Sequence, residues 1–205
     1  MKFLKVTILS LGMLLSACAT YDLQQAMRPD NRNIYPKLPN MEPIFEAGKA
    51  LDNNSSATGA NTTSVQLNNE FATYFRREVE KNLIDEDGPV KGKLVLEPIF
   101  VKATENGGWT LTVFPGFFIP NLFGVPMDSW TAKWELELNV LDKNGKRIAR
   151  YSAEEENTEY LAAYWGYATL PETRKAAVFE GYKKTLDNLI QQLQNDIPSL
   201  SAKLK

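Results

Sequence analysis

The chain has 205 residues, with 23 Lys and Arg against 25 Asp and Glu, a single cysteine and no histidine. This balance offers no basic surface for nucleic acid. The missing histidine excludes Ser-His-Asp and Cys-His nucleophiles, His-ligated zinc and histidine-based pH switches. Catalysis would have to rest on carboxylates, lysines or tyrosines, so the expectation is a protein that is not an enzyme, with no cofactor and no metal.

Residues 1–17 read MKFLKVTILSLGMLLSA. Lys2 and Lys5 form a positive n-region, and Val6 to Leu15 an apolar run of about ten residues. That is half the length needed to span a bilayer, and it has the build of a secretory signal peptide. The small residues Ser16 and Ala17 follow, then Cys18, the lone cysteine. Leu15-Ser16-Ala17-Cys18 resembles a bacterial lipobox. The resemblance covers residues 1–18 and implies diacylglycerol transfer to the Cys18 thiol, cleavage after Ala17 and acylation of the new amino group. Each buried CH₂ contributes about 0.8 kcal/mol, and stable anchoring takes about two chains or more. Such a protein would bind the membrane through Cys18 without a transmembrane helix. Ala19 stands where aspartate usually signals inner-membrane retention in lipoproteins of this type. The resemblance therefore implies an outer-membrane anchor with the body facing the periplasm, the inner membrane and the cell surface being alternatives.

Without residues 1–17 the chain keeps 188 residues and loses Lys2 and Lys5, leaving 21 basic against 25 acidic side chains, a net charge of −4. Residues 18–40 are polar, aperiodic and contain Pro29, Pro36 and Pro39; they read as a tether. Residues 41–205 read as one periplasmic domain. Glu-Pro-Ile-Phe occurs at 42–45 and again at 97–100, each reading as a strand whose proline restricts it to an edge or a strand end. Residues 52–64 are small and polar and read as a loop.

Leu67, Phe71, Tyr74, Phe75, Val79 and Leu83 recur at helical spacing and predict a one-faced helix, with Ser64 as N-cap and Asp85 to Pro89 as its stop. Lys93 to Ala103 reads as a strand. In WTAKWELELNVL, residues 130–141, Trp130, Ala132, Trp134, Leu136, Leu138 and Val140 share one face. Thr131, Lys133, Glu135, Glu137 and Asn139 share the other, which is expected to meet water. Asn144-Gly145 then predicts a type I′ hairpin turn, with Lys146 to Glu154 returning. Thr169-Leu170-Pro171-Glu172 predicts a capped helix start. An apolar stripe runs from Val178 to Ile197, and Pro198 is the expected end. The fold class is α+β: two amphipathic helices packed on one face of a mostly antiparallel sheet of four to five strands. At the level of pattern, residues 41–197 resemble small α/β envelope lipoproteins of the curli-secretion, penicillin-binding-protein-activator and Tol N-terminal types. That resemblance implies an accessory role in envelope assembly or maintenance with an envelope protein as partner, and carries no individual residue.

Three stretches are candidate sites. No charge occurs between Glu105 and Asp128, while Pro115, Pro120, Pro126 and four glycines rule against a continuous helix there. Trp109 to Phe114 reads as a strand and Pro115 to Met127 as an apolar loop. Trp109, Phe114, Phe117, Phe118, Leu122 and Phe123 either cover the core or form an exposed surface for lipid or a partner. Tyr160, Tyr164, Trp165 and Tyr167 form a second aromatic group, of the residue types found in interfaces and membrane belts. If it lies beside the first, the case for binding strengthens. A lipid-handling pocket lined by these phenylalanines is an alternative. The acids Glu154, Glu155, Glu156 and Glu159 read as a solvated strand end, with a carboxylate enzyme as the remaining alternative.

Overall fold

A computed structural model describes residues 20–47, 61–106, 121, 123–162 and 165–204. Four strands form a mixed sheet in the order β1-β2-β3-β4: β1 Glu42–Phe45, β2 Gly92–Glu105, β3 Asp128–Asp142 and β4 Arg147–Leu161. Among the described residues three α-helices accompany them: α1 Leu23–Ala26, α2 Asn61–Glu78 and α3 Leu170–Lys203. α2 runs on into a π-helical turn, Val79–Leu83. The fold class is therefore α+β, as expected. No helix among the described residues is long and apolar enough to cross a membrane.

The two Glu-Pro-Ile-Phe segments lie in neighbouring strands. β1 pairs parallel with β2, Glu42 opposite Lys93 and Phe45 opposite Leu96. The Glu46 N–H extends this pairing to the Leu96 carbonyl at 2.9 Å. Pro98, which has no N–H to give, lies two residues beyond that bond.

The residues group into two compact units. One comprises Leu23–Lys102, Lys133–Glu156 and Phe179–Lys205. Its core follows from the period-2 face of β3: Trp134, Leu136, Leu138 and Val140 are completely buried. Both long helices bring aromatic rings to that face. Phe71 of α2 meets Trp134 edge-on with centroids 5.0 Å apart, and Tyr182 of α3 lies 5.4 Å from Trp134 and 4.7 Å from Phe71. The Tyr182 hydroxyl donates to the Phe71 carbonyl at 3.1 Å, so the buried phenol is satisfied. Helices on one sheet face are thus the observed packing.

Four expectations are corrected here. Residues 23–40 are not a free tether. Leu23, Met27, Ile34 and Leu38 are buried, and Arg32 pairs with Glu78 and Asp187. Glu137 and Asn139 do not face water. Both are buried; the Asn139 amide donates to Glu137 at 2.8 Å, and Arg150 pairs with Glu137. Pro198 lies inside α3, which continues to Lys203. Its ring removes one backbone bond, yet Leu200 and Leu204 beyond it are buried and hold the last turns. The hairpin turn is not type I′, because Asn144 does not have the positive φ that turn needs; among the described residues only glycines do. The Gly145 N–H donates to the Asp142 carbonyl at 3.0 Å, and of the turn residues only Gly145 is left-handed, at φ +78°. This is the pattern of a type I turn followed by a left-handed glycine. The Asp142 carboxylate selects it by accepting the Asn144 and Lys146 N–H groups at 2.8 and 2.9 Å. In addition, α2 begins at Asn61, three residues before the expected cap, and β4 extends seven residues past Glu154.

The other unit comprises Met1–Asp22, Ala103–Ala132 and Asn157–Val178. It contains the described part of the aromatic candidate site.

Candidate interaction site

Phe123 is presented by a tight turn. The Asn121 carbonyl accepts the Gly124 N–H at 3.2 Å, and the Asn121 side-chain amide donates to the Val125 carbonyl at 3.0 Å. Gly124 takes φ +91°, which a side chain would oppose. The turn fixes the backbone on both sides of Phe123, whose ring is 83 % exposed.

The second aromatic stretch folds back against the first. The Met127 N–H donates to the Leu161 carbonyl at 2.7 Å. The Tyr167 N–H then donates to the Tyr160 carbonyl at 3.0 Å, closing a loop that returns the chain beside the end of β4. Gly166 makes this closure possible. Its φ is +72°, and a Cβ there would lie 2.3 Å from the Tyr160 carbonyl oxygen. Trp165, 40 % exposed, donates its indole N–H to the Gly124 carbonyl at 2.9 Å. Its ring packs on Tyr160 with centroids 5.7 Å apart. Tyr167 in turn meets Tyr21 edge-on, also at 5.7 Å. Phe123 and Trp165 are thus linked by one hydrogen bond through Gly124. Trp109, Phe114, Phe117, Phe118, Leu122 and Tyr164 lie outside the described residues, as does Cys18.

The acids Glu154, Glu155, Glu156 and Glu159 lie on a strand and are exposed or half-buried, as expected, but the strand does not end at them. Within β4, Glu154 pairs with Lys133, Glu155 with Lys184 and Asn188, and Glu159 accepts the Asn157 amide at 3.0 Å. The Asn188 amide and Lys184 hold the Glu155 carboxyl below its usual range. A separate acid pair went unread in the sequence. Glu105, at the end of β2, and Asp128, at the start of β3, share a hydrogen bond that raises the Glu105 pKa, with smaller contributions from burial and from the Asp128 charge. Asp128 also accepts the Ser129 N–H at 2.6 Å.

The largest buried charge cluster is in the other unit, around Arg32. Its guanidinium lies 2.8 Å from Glu78 and 3.3 Å from Asp30, and also contacts Asp187. Asn82 donates to Glu78 at 2.8 Å and to the Asp30 carbonyl at 2.9 Å, and accepts the Arg32 N–H at 3.2 Å. Burial raises the pKa of both Glu78 and Asp187, with Arg32 pulling each back. This constellation fastens residues 30–32 to α2 and α3 and commits its acids to a permanent cation.

No family model matches the sequence, and no curated protein is significantly similar to it. Among solved structures it is similar to a provisionally named lipoprotein from Caulobacter crescentus CB15, at 14% identity, covering 78% of this chain and 90% of that one with a TM-score of 0.34. It is also similar to a Xanthomonas campestris protein of the DUF330 family, at 12% identity over 82% and 88% of the two chains, TM-score 0.38. A minor lipoprotein from Acinetobacter baumannii matches at 11% identity over 81% and 92%, TM-score 0.32.

Proposed function

We propose that this chain is a bacterial envelope lipoprotein, acylated at Cys18, whose body serves as a non-catalytic accessory or binding module in the periplasm. The observation that carries the reading is the ordered run of positive n-region, ten-residue apolar stretch and Leu-Ser-Ala-Cys at residues 1–18. The body supports the binding half of the proposal. The exposed Trp165 ring is held by one hydrogen bond to Gly124 in the turn that carries Phe123, and the buried acids Glu78 and Glu137 are each tied to an arginine and an asparagine. Ala19 favours the outer membrane by the same lipoprotein resemblance. The test is metabolic labelling with a fatty acid, followed by density fractionation of the envelope. Label should enter the wild-type chain and be absent from Cys18→Ser, which should accumulate as uncleaved precursor. Unlabelled wild type, or label retained by Cys18→Ser, would overturn the proposal.

A further inference from the structure

We infer that the aromatic edge formed by Phe123, Trp165 and Tyr160 is a membrane-docking face, seated in the headgroup layer of the bilayer that holds the Cys18 acyl chains. The inference rests on the acylation proposed above and on the length of chain between the anchor and the fold. Cys18 is three residues from Tyr21. Fully extended, that leash reaches about 10 Å. The headgroup region of one leaflet is about 5–8 Å thick, the difference between a hydrocarbon core of about 30 Å and a bilayer of about 40–45 Å. A chain leaving the acyl region at Cys18 therefore crosses the headgroups and has almost nothing left when it reaches Tyr21. Residues 23–40 add no slack, because they are packed in the other unit.

Tyr21 is itself fixed, with its ring edge-on to Tyr167 at 5.7 Å. Tyr167 is two residues from Trp165, and Trp165 is bonded to Gly124 beside Phe123. Tyr21, three residues along the chain from the anchor, and the aromatic edge are thus linked within one compact unit by contacts only a few residues apart. The chemistry of the edge suits a headgroup layer. Residues 121–127 carry no charge, Phe123 is 83 % exposed, and tryptophan and tyrosine favour the boundary between water and hydrocarbon. The Trp165 N–H already has its partner in Gly124, so its ring enters an apolar layer without stranding a donor.

Because acylation consumes the chain's only thiol, a cysteine introduced at position 123 can be labelled alone. The experiment uses the full acylated protein carrying Phe123→Cys, bearing an environment-sensitive fluorophore and reconstituted into protein-free phospholipid vesicles. Lys143→Cys, exposed in the hairpin turn, serves as the comparison. Docking predicts a blue-shifted emission at position 123 that is lost when the lipids carry brominated acyl chains, and an unshifted, unquenched signal at 143. Mass spectrometry of the same sample reports the acyl chains. An acylated protein whose label at 123 stays in water, or becomes shielded only when envelope proteins are added, overturns the docking face and leaves the lipoprotein reading standing. Absence of acyl chains overturns both.

Discussion

Replacing Arg32 with methionine removes a charge while keeping an apolar stem, and it tests whether residues 23–40 belong to the fold. Only 18 % of the Arg32 side chain is exposed, and the Glu78 carboxylate it neutralises is fully buried. Removing one partner of a buried pair costs about 3–5 kcal/mol, because the other charge is left uncompensated. The lower end is expected, since Asp187 keeps 34 % exposure and can be rehydrated. A loss of about 3 kcal/mol, at a urea dependence of about 2 kcal/mol per molar, lowers the midpoint by about 1.5 M. The effect has a definite pH sign. Burial raises the Glu78 and Asp187 pKa values above their ordinary 4.5 and 3.8, and Arg32 opposes that rise. An acid with a raised folded-state pKa favours the folded state below its ordinary value, and that contribution is lost as pH rises through the folded value. Without Arg32 the folded values move higher still. The deficit should therefore be largest at neutral pH and shrink on acidification through the raised values, as the two acids take up protons. An unchanged midpoint at neutral pH, or a deficit that grows on acidification, would refute the role given to this cluster.

Gly145→Val should destabilise by about 1–2 kcal/mol from the left-handed φ alone, since a Cβ there meets nothing within 4 Å; calorimetry of the variant checks this. Gly166→Ala carries both a left-handed φ and a 2.3 Å approach to the Tyr160 carbonyl. It should open the loop and release Trp165, read as a red shift of its emission; an unshifted spectrum would contradict the geometry. Glu105→Gln copies the protonated acid that donates to Asp128. Glu105 holds its proton above the usual carboxylate range, so the wild type loses this contribution as pH rises through the raised value, and the variant keeps it. The variant should match wild type in acid and exceed it in stability at neutral pH; the reverse order would show that Asp128 does not oppose the Glu105 charge.

What the sequence revealed depended on whether one residue's fate was set by its neighbours or by distant partners. The alternation from Trp130 to Val140 could be read because burial of one sheet face imposes period 2, and Trp134, Leu136, Leu138 and Val140 are buried as that pattern requires. The helical stripe from Phe71 to Leu83 was legible for the same reason at its own period. The segment from Leu23 to Leu38 was not. Its buried residues Leu23, Met27, Ile34 and Leu38 are spaced as on a helix, yet only Leu23–Ala26 is helical, and its securing contacts join Arg32 to residues 46 and 155 positions away. Glu137 and Asn139 looked solvated because their types are polar; they are buried because Arg150 and Arg147 come to them from the neighbouring strand. Asn144-Gly145 announced a turn, but its type was chosen by the Asp142 carboxylate. Half of the candidate site was visible as aromatic composition, whereas its assembly rests on Gly166 and on a single indole hydrogen bond that no spacing encodes.

The account's central claim is that this protein is held to a membrane by lipid on Cys18. Intact-mass and N-terminal peptide analysis of the mature protein, extracted in detergent, tests it most directly. The prediction is a chain that begins at Cys18 and carries acyl chains on both its thiol and its α-amino group. A chain that retains Met1, or one that begins elsewhere with an unmodified Cys18, would contradict it.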